Sequence, residues 1–161
     1  MPAMEQQLPK RYEAIEPSLL GEGGMGRVLR ARDVVLDAPV ALKMVRPDLA
    51  SDPRFRKLFD REIRIAARFL HPYIVPLHDH GVTEDGTPWL ALALAEGGSF
   101  KALVTEGPED WSFLLRLLIE LLDALAHLHA NGVIHRDIKP ENILLHPDED
   151  GCLHVWLTDL G

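Results

Sequence analysis

The chain has 161 residues, 47% of them hydrophobic and 26% charged, and a net charge of -8 at pH 7, the composition of a soluble globular protein with one ordinary core. That acidic balance argues against nucleic acid as a main partner, because phosphate-backbone binding needs a clustered basic surface, but it leaves room for a small anionic ligand held by a few converging cations. The apolar run from Trp89 to Ala95 is far below the ~20 residues of a membrane span, the opening "MPAMEQQLPK" has no apolar signal core, and a single cysteine, Cys152, allows no internal disulfide, so a cytoplasmic location is expected.

Taken in order, the first half reads as strands around one helix. "EPSLLGEGGMGRVLRARD" sets glycines between two short apolar segments, "APVALKMV" is a β-branched-rich run after a proline, and "TEDGTPWLALALA" places a turn signal before another strand. Between them "DPRFRKLFDREIRIAARFL" carries Phe55, Leu58, Phe59, Ile63 (or Glu62), Ala66 and Phe69 at helical spacing. A glycine-rich "AEGGS" at Ala95 to Ser99 marks the expected boundary between a domain over 1–95 and a second over 96–161. Beyond it, "EDWSFLLRLLIELLDALAHLHANG" steps through Trp111, Leu114, Leu118, Leu121, Leu125 and Leu128, with Leu115, Leu117 and Leu122 widening the stripe, and stops at Asn131 and Gly132. "GVIHRDIKPENILLH" and "CLHVWLTDLG", joined by the turn-rich "PDEDG", read as a hairpin or a pair of nearby strands. The expected class is α+β.

Gly21, Gly23 and Gly26 form G-x-G-x-x-G, a spacing shared by dinucleotide-binding folds and by phosphate-covering flaps. The flanks favour the flap: a dinucleotide fold needs a helix after the glycines, whereas "RVLRARD" reads as a strand. Lys43, in "VALK" after that loop, sits among strand residues and needs an anionic partner, phosphate or carboxylate; Glu62 on the following helix is the candidate carboxylate. "HRDIKPEN" then crowds His135, Arg136, Asp137, Lys139 and Asn142 into a stretch where Pro140 forbids a continuing helix. Asp159 follows at the end of another apolar strand, and with Asn142 it suits a pair of oxygen ligands for Mg²⁺. His78 and His80 lack a third ligand for a metal, His127 and His129 cannot share a helix face, and "PDEDG" reads as a solvated turn.

The ordered set "GEGGMGRV", "VALK", Glu62, "HRDIKPEN" and "DLG" resembles the protein kinase superfamily, and "GEGGMG", "ARD" and "HPYIVPLHDHG" are similar to bacterial eukaryotic-like serine/threonine kinases. The resemblance implies a protein-kinase-like fold with a complete small lobe, an antiparallel sheet plus one helix, and the first part of a helical larger lobe. It implies that Gly21, Gly23, Gly24 and Gly26 cover the phosphates of ATP, with Val28, Ala41 and Leu144 around the adenine, Leu92 beside it, and Ala93 and Ala95 in the hinge. Lys43 would hold the α and β phosphates while pairing with Glu62. Asp137 would orient the substrate hydroxyl, Lys139 would steady the transferred phosphoryl group, and Asn142 and Asp159 would hold Mg²⁺. The implied partner is a protein carrying serine or threonine.

The resemblance further implies that a kinase domain continues past "TDLG" with an activation segment and more helices. The apolar stripe from Trp111 to Leu128 would face those helices, so self-association or a partner covering the stripe is expected of this chain. The functions left open are an ATP-dependent serine/threonine kinase represented by its nucleotide-binding half, a catalytically incomplete module that binds nucleotide or a partner as a regulator or scaffold, and small-molecule phosphotransfer, which "HRDIKPEN" fits less well.

Overall fold

The computed structural model describes residues 7–107 and 110–160. Most of the opening segment, Glu109 at the head of the long helical stretch and Gly161 of the final motif lie outside the described residues. The chain divides into two units, one built from Met1–Arg64 with Leu77–Leu94 and the other from Ile65–Pro76 with Ala95–Gly161.

The first unit is a five-stranded sheet and a helix as far as Arg64, the helix's last turn belonging to the second unit. Strands β1 (Tyr12–Glu22), β2 (Gly26–Asp33), β3 (Ala38–Val45), β4 (Leu77–Val82) and β5 (Pro88–Ala93) are ordered β1-β2-β3-β5-β4, and each neighbouring pair is antiparallel. Alternation along β3 explains its two faces. Val40, Leu42 and Met44 pack with Tyr12, Ala31, Trp89 and Ala91 into one buried cluster, each large side chain contributing about 1.5–3 kcal/mol by leaving water. Ala41 and Lys43 take the opposite face. Helix α1 (Pro53–Arg68) begins on a proline, whose fixed φ suits a first turn, and Asp52 Oδ1 accepts from the Arg54 N–H at 2.9 Å just ahead of it. Its buried side chains are Phe59, Glu62 and Ala66.

In the second unit, helix α3 (Trp111–Ala130) is capped by Asp110, whose side chain accepts from the Ser112 N–H. It ends where Asn131 N–H returns to Leu128 O and Gly132 adopts a φ of 76°, a left-handed value that glycine takes without strain. Helix α2 (Phe100–Glu106) lies before it, an element that the sequence reading passed over. A 3-10 turn at Pro140–Asn142 leads into an antiparallel hairpin of β6 (Ile143–Pro147) and β7 (Leu153–Leu157).

The apolar stripe of α3 is placed differently from expectation. Leu117, Leu121, Ala124 and Leu128 are the buried face, joined by Phe69, Ile74, Phe100, Ile143, Leu145, Val155, Leu157 and Leu160, with Leu114 and Leu125 packed at the edge. Trp111, Leu115, Leu118, Ile119 and Leu122 are exposed. The expected stripe therefore splits: Leu114, Leu121, Leu125 and Leu128 belong to the core and Trp111 and Leu118 do not. The helix carries more apolar residues than one face holds, so spacing alone could not select the buried arc.

Candidate active site

In the first unit, register brings the predicted nucleotide-binding residues onto one sheet face. Val28 pairs with Lys43 and Arg30 with Ala41 across β2 and β3, and Ala41 pairs with Leu92 across β3 and β5. Directly paired residues share a face, so Val28, Ala41, Lys43 and Leu92 line the face opposite the Leu42 and Met44 cluster. Ala93 pairs with Val40 and so follows the other alternation at the end of β5. Lys43 Nζ lies 2.6 Å from Glu62 Oε1, and both residues are buried, at 8% and 4% exposure. A charge this deep is tolerated because it is paired.

The glycine loop joins β1 to β2. Gly23 N–H donates to Gly26 O at 2.9 Å, closing the turn. A side chain on Gly26 would place Cβ 2.7 Å from Met44 O, whereas Gly21, Gly23 and Gly24 face open space. Close packing thus requires glycine at Gly26. The other three leave a bare backbone stretch that a ligand can approach.

In the second unit, "HRDIKPEN" is an extended loop closing in the 3-10 turn, and its side chains are held by one another. Asn142 is buried; its Nδ2 donates to Asp137 O at 2.9 Å and to Asp137 Oδ2 at 3.0 Å, while its backbone carbonyl accepts from the Thr158 N–H at 3.0 Å. Lys139 Nζ stands 3.4 Å from Asp137 Oδ2. Thus one residue, Asn142, ties the loop of Asp137 to the segment carrying Asp159. With the Asn142 amide nitrogen engaged by Asp137, its side-chain oxygen is the end that could serve as a ligand. An amide oxygen and a carboxylate are the hard donors that Mg²⁺ takes.

His135, named in the motif but given no role from sequence, makes a second tie. It is buried; its Nδ1 accepts from the Asp137 N–H, and its Nε2 lies 2.7 Å from Thr158 O. Since Nδ1 accepts, Nε2 carries the proton and donates. Arg136 and Asp159 both have positive φ, 71° and 58°, conformations that cost non-glycine residues energy and persist where surrounding bonds fix them. Leu160 is buried in the second core. Leu144 sits on β6, and the glycine-rich segment after Ala95 runs beside it: Gly97 N–H donates to Leu145 O at 2.8 Å and Leu145 N–H to Gly98 O at 2.9 Å.

Sequence reasoning missed two further groups. Arg11 grips the buried Asp33, with Nη2 2.8 Å from Oδ2; Arg11, together with the N–H groups of Leu36 and Val35, holds the Asp33 carboxyl down at about 2 against the opposing effect of burial. Glu120, buried on α3, meets Arg116 and His154. The i,i+4 spacing of Arg116 and Glu120 was a readable signal; the pairing with His154 was not.

A buried lysine-glutamate pair on an antiparallel sheet with a glycine loop at its edge in the first unit, and an Asp-Lys-Asn loop bonded to an Asp-Leu segment in the second, are features of the protein kinase domain. The chain belongs to the protein kinase domain family, which matches over residues 15–161. It is similar to the serine/threonine-protein kinase pkn3 of Myxococcus xanthus, with 39% identity over 151 residues, covering 93% of this chain and 28% of that protein. It is also similar to PknH of Mycobacterium tuberculosis, 38% identical over 144 residues, covering 89% of this chain and 22% of the relative. With PrkC of Bacillus subtilis the identity is 36% over 157 residues, covering 97% of this chain and 23% of the relative. By family it groups with bacterial eukaryotic-like serine/threonine kinases, which are transferases, and its sheet-and-helix unit is followed by helices and a hairpin, as in the small lobe and first part of the larger lobe of that fold. The chain spans about a quarter of the length of these curated relatives. Among the described residues no helix is long and apolar enough to cross a membrane.

Proposed function

We propose that the chain carries the nucleotide-binding and catalytic-loop portion of an ATP-dependent protein kinase that transfers a phosphoryl group to a serine or threonine hydroxyl of a protein. The observation that carries this reading is the buried Lys43–Glu62 pair at 2.6 Å. It fixes a cation on the sheet face of Val28, Ala41 and Leu92, where the flat apolar surface suits an adenine and the cation suits its phosphates. The bare backbone of Gly21 to Gly24 covers those phosphates. In the second unit Asp137 accepts the proton of the incoming hydroxyl, its carboxylate oriented by Asn142 Nδ2 and Lys139 Nζ. Lys139 neutralises charge on the transferred group, and Asn142 and Asp159 hold Mg²⁺. When bound, the metal supplies charge neutralisation on the phosphate oxygens, the main demand of phosphoryl transfer.

Calorimetric titration of the folded chain with ATP, with and without Mg²⁺, tests the reading. Binding that needs Mg²⁺ and is lost in Lys43→Met and Asp159→Asn supports it; a folded chain with no nucleotide affinity overturns it. Binding without phosphotransfer to a generic protein substrate would favour the non-catalytic module instead.

A further inference from the structure

His154, on β7 of the second unit, has a carboxylate at each ring nitrogen: Nδ1 is 2.9 Å from Glu120 Oε1 and Nε2 is 2.9 Å from Asp148 Oδ2. A neutral imidazole has one N–H and can donate to one carboxylate only, so this geometry calls for the doubly protonated, cationic ring. Each carboxylate has further duties. Glu120 Oε1 also takes Arg116 Nη1 at 2.7 Å, and Oε2 takes the Val155 N–H of β7 at 3.0 Å; Arg116 Nη2 reaches Leu153 O at 2.8 Å. Asp148 Oδ1 accepts from the Asp150 and Cys152 N–H groups and so builds the β6–β7 turn. The ring of His154 is the link between these two constructions.

We propose that His154 is the charged centre of a pH-sensitive clamp that ties β7 and the β6–β7 turn to α3, firm when the imidazole is cationic and loosened when it is neutral, and so governs how tightly the strand leading into Thr158 and Asp159 is held. This rests on the contacts of the second unit and not on the kinase reading. The groups facing His154 are Glu120 and Arg116 from α3, Asp148 from the turn, His146 across the hairpin with ring centroids 6.0 Å apart, and the stacked ring of Tyr73 at 6.4 Å. Arg116 opposes the imidazolium, while the two carboxylates favour it. His146 is biased toward the neutral form: burial and then the His154 charge push its pKa down, and its Nε2 is buried without a hydrogen-bond partner. His154 goes the other way, raised by its bond to Asp148 against the pull of burial, and Asp148 is lowered by the same bond.

The signs define the working range. A raised histidine contributes fully below its ordinary 6.5 and loses that contribution as pH rises through the raised value. A lowered aspartate contributes above its ordinary 3.8 and fails as pH falls through the lowered value. The clamp is therefore firm between about pH 4 and 6.5 and releases on the alkaline side.

Ring-nitrogen NMR of the full chain, with amide hydrogen exchange at Val155 corrected for intrinsic exchange chemistry, tests this. The expected result is a His154 titration above 6.5 and Val155 protection that falls across it, by about tenfold for each unit by which the histidine is raised. In His154→Gln the protection becomes independent of pH over that range. Asp148→Asn, a change on an exposed turn, moves the His154 titration down and shrinks the fall, which keeps the test open if His154→Gln does not fold. A His154 titration at or below 6.5 in the unaltered chain, or Val155 protection flat from pH 6 to about 9, overturns the clamp.

Discussion

Removing Lys43 puts the energetics of the first unit to a direct test. Glu62 is 4% exposed, and Lys43 Nζ donates to its carboxylate at 2.6 Å. Methionine at Lys43 matches the lysine stem out to Cε and lacks only the ammonium, so packing on the sheet face is largely preserved and the loss is mainly electrostatic. A buried pair broken from one side leaves an uncompensated charge and costs about 3–5 kcal/mol, a large share of the ~5–15 kcal/mol by which a domain is stable. Replacing both members, Lys43→Met with Glu62→Leu, removes the stranded charge and is expected to bring stability back to within about 1 kcal/mol of the unaltered chain. Urea unfolding followed by tryptophan fluorescence measures all three proteins. Trp89 is the reporter in the first unit, buried and edge-on to Tyr12 with ring centroids 5.3 Å apart, with Trp111 and Trp156 changed to phenylalanine throughout. A Lys43→Met cost under about 1 kcal/mol, or a double variant no more stable than Lys43→Met alone, would refute the burial argument. The double variant also separates stability from function, since it is expected to fold and yet not bind nucleotide.

Three further outcomes are expected. Gly26→Ala forces a methyl to 2.7 Å from Met44 O while Gly24→Ala meets open space, so thermal unfolding should show a loss of about 1–3 kcal/mol for the first and within ~0.5 kcal/mol for the second. Asp33, held at about 2 chiefly by its bond to Arg11, is a lowered carboxylate, so its contribution is present above its ordinary 3.8 and fades as pH falls toward about 2. Carboxyl NMR should find its midpoint near 2 in the unaltered chain, rising toward 3.8 in Arg11→Ala. On α3, Leu117→Ala empties a site that is 0% exposed and should cost about 2–5 kcal/mol, whereas Leu115→Ala, 60% exposed, should stay within about 0.5 kcal/mol; equal losses in chemical denaturation would mean that the buried arc of the helix is misassigned.

The sequence by itself determined the class of fold and the local backbone form of its motifs. Strand alternation in "APVALKMV", the glycines before "RVLRARD", and the proline that halts "HRDIKPEN" are local constraints on backbone and solvent exposure, and local constraints are legible in order along a chain. Lys43 and Glu62 were readable as partners because a strand lysine and a helix glutamate each lack a reason to be buried alone. Tertiary structure decided what depends on contacts between distant segments. It chose which arc of the apolar α3 faces inward, because the hairpin and the segment around Phe69 and Ile74 settle against one side of it. It put His135 against Thr158 and His154 between Glu120 and Asp148, contacts across 23, 34 and 6 positions. Periodicity carries no information about such pairs; a histidine on a strand looks the same in sequence whether water or two carboxylates surround it, and only the folded chain fixes its charge.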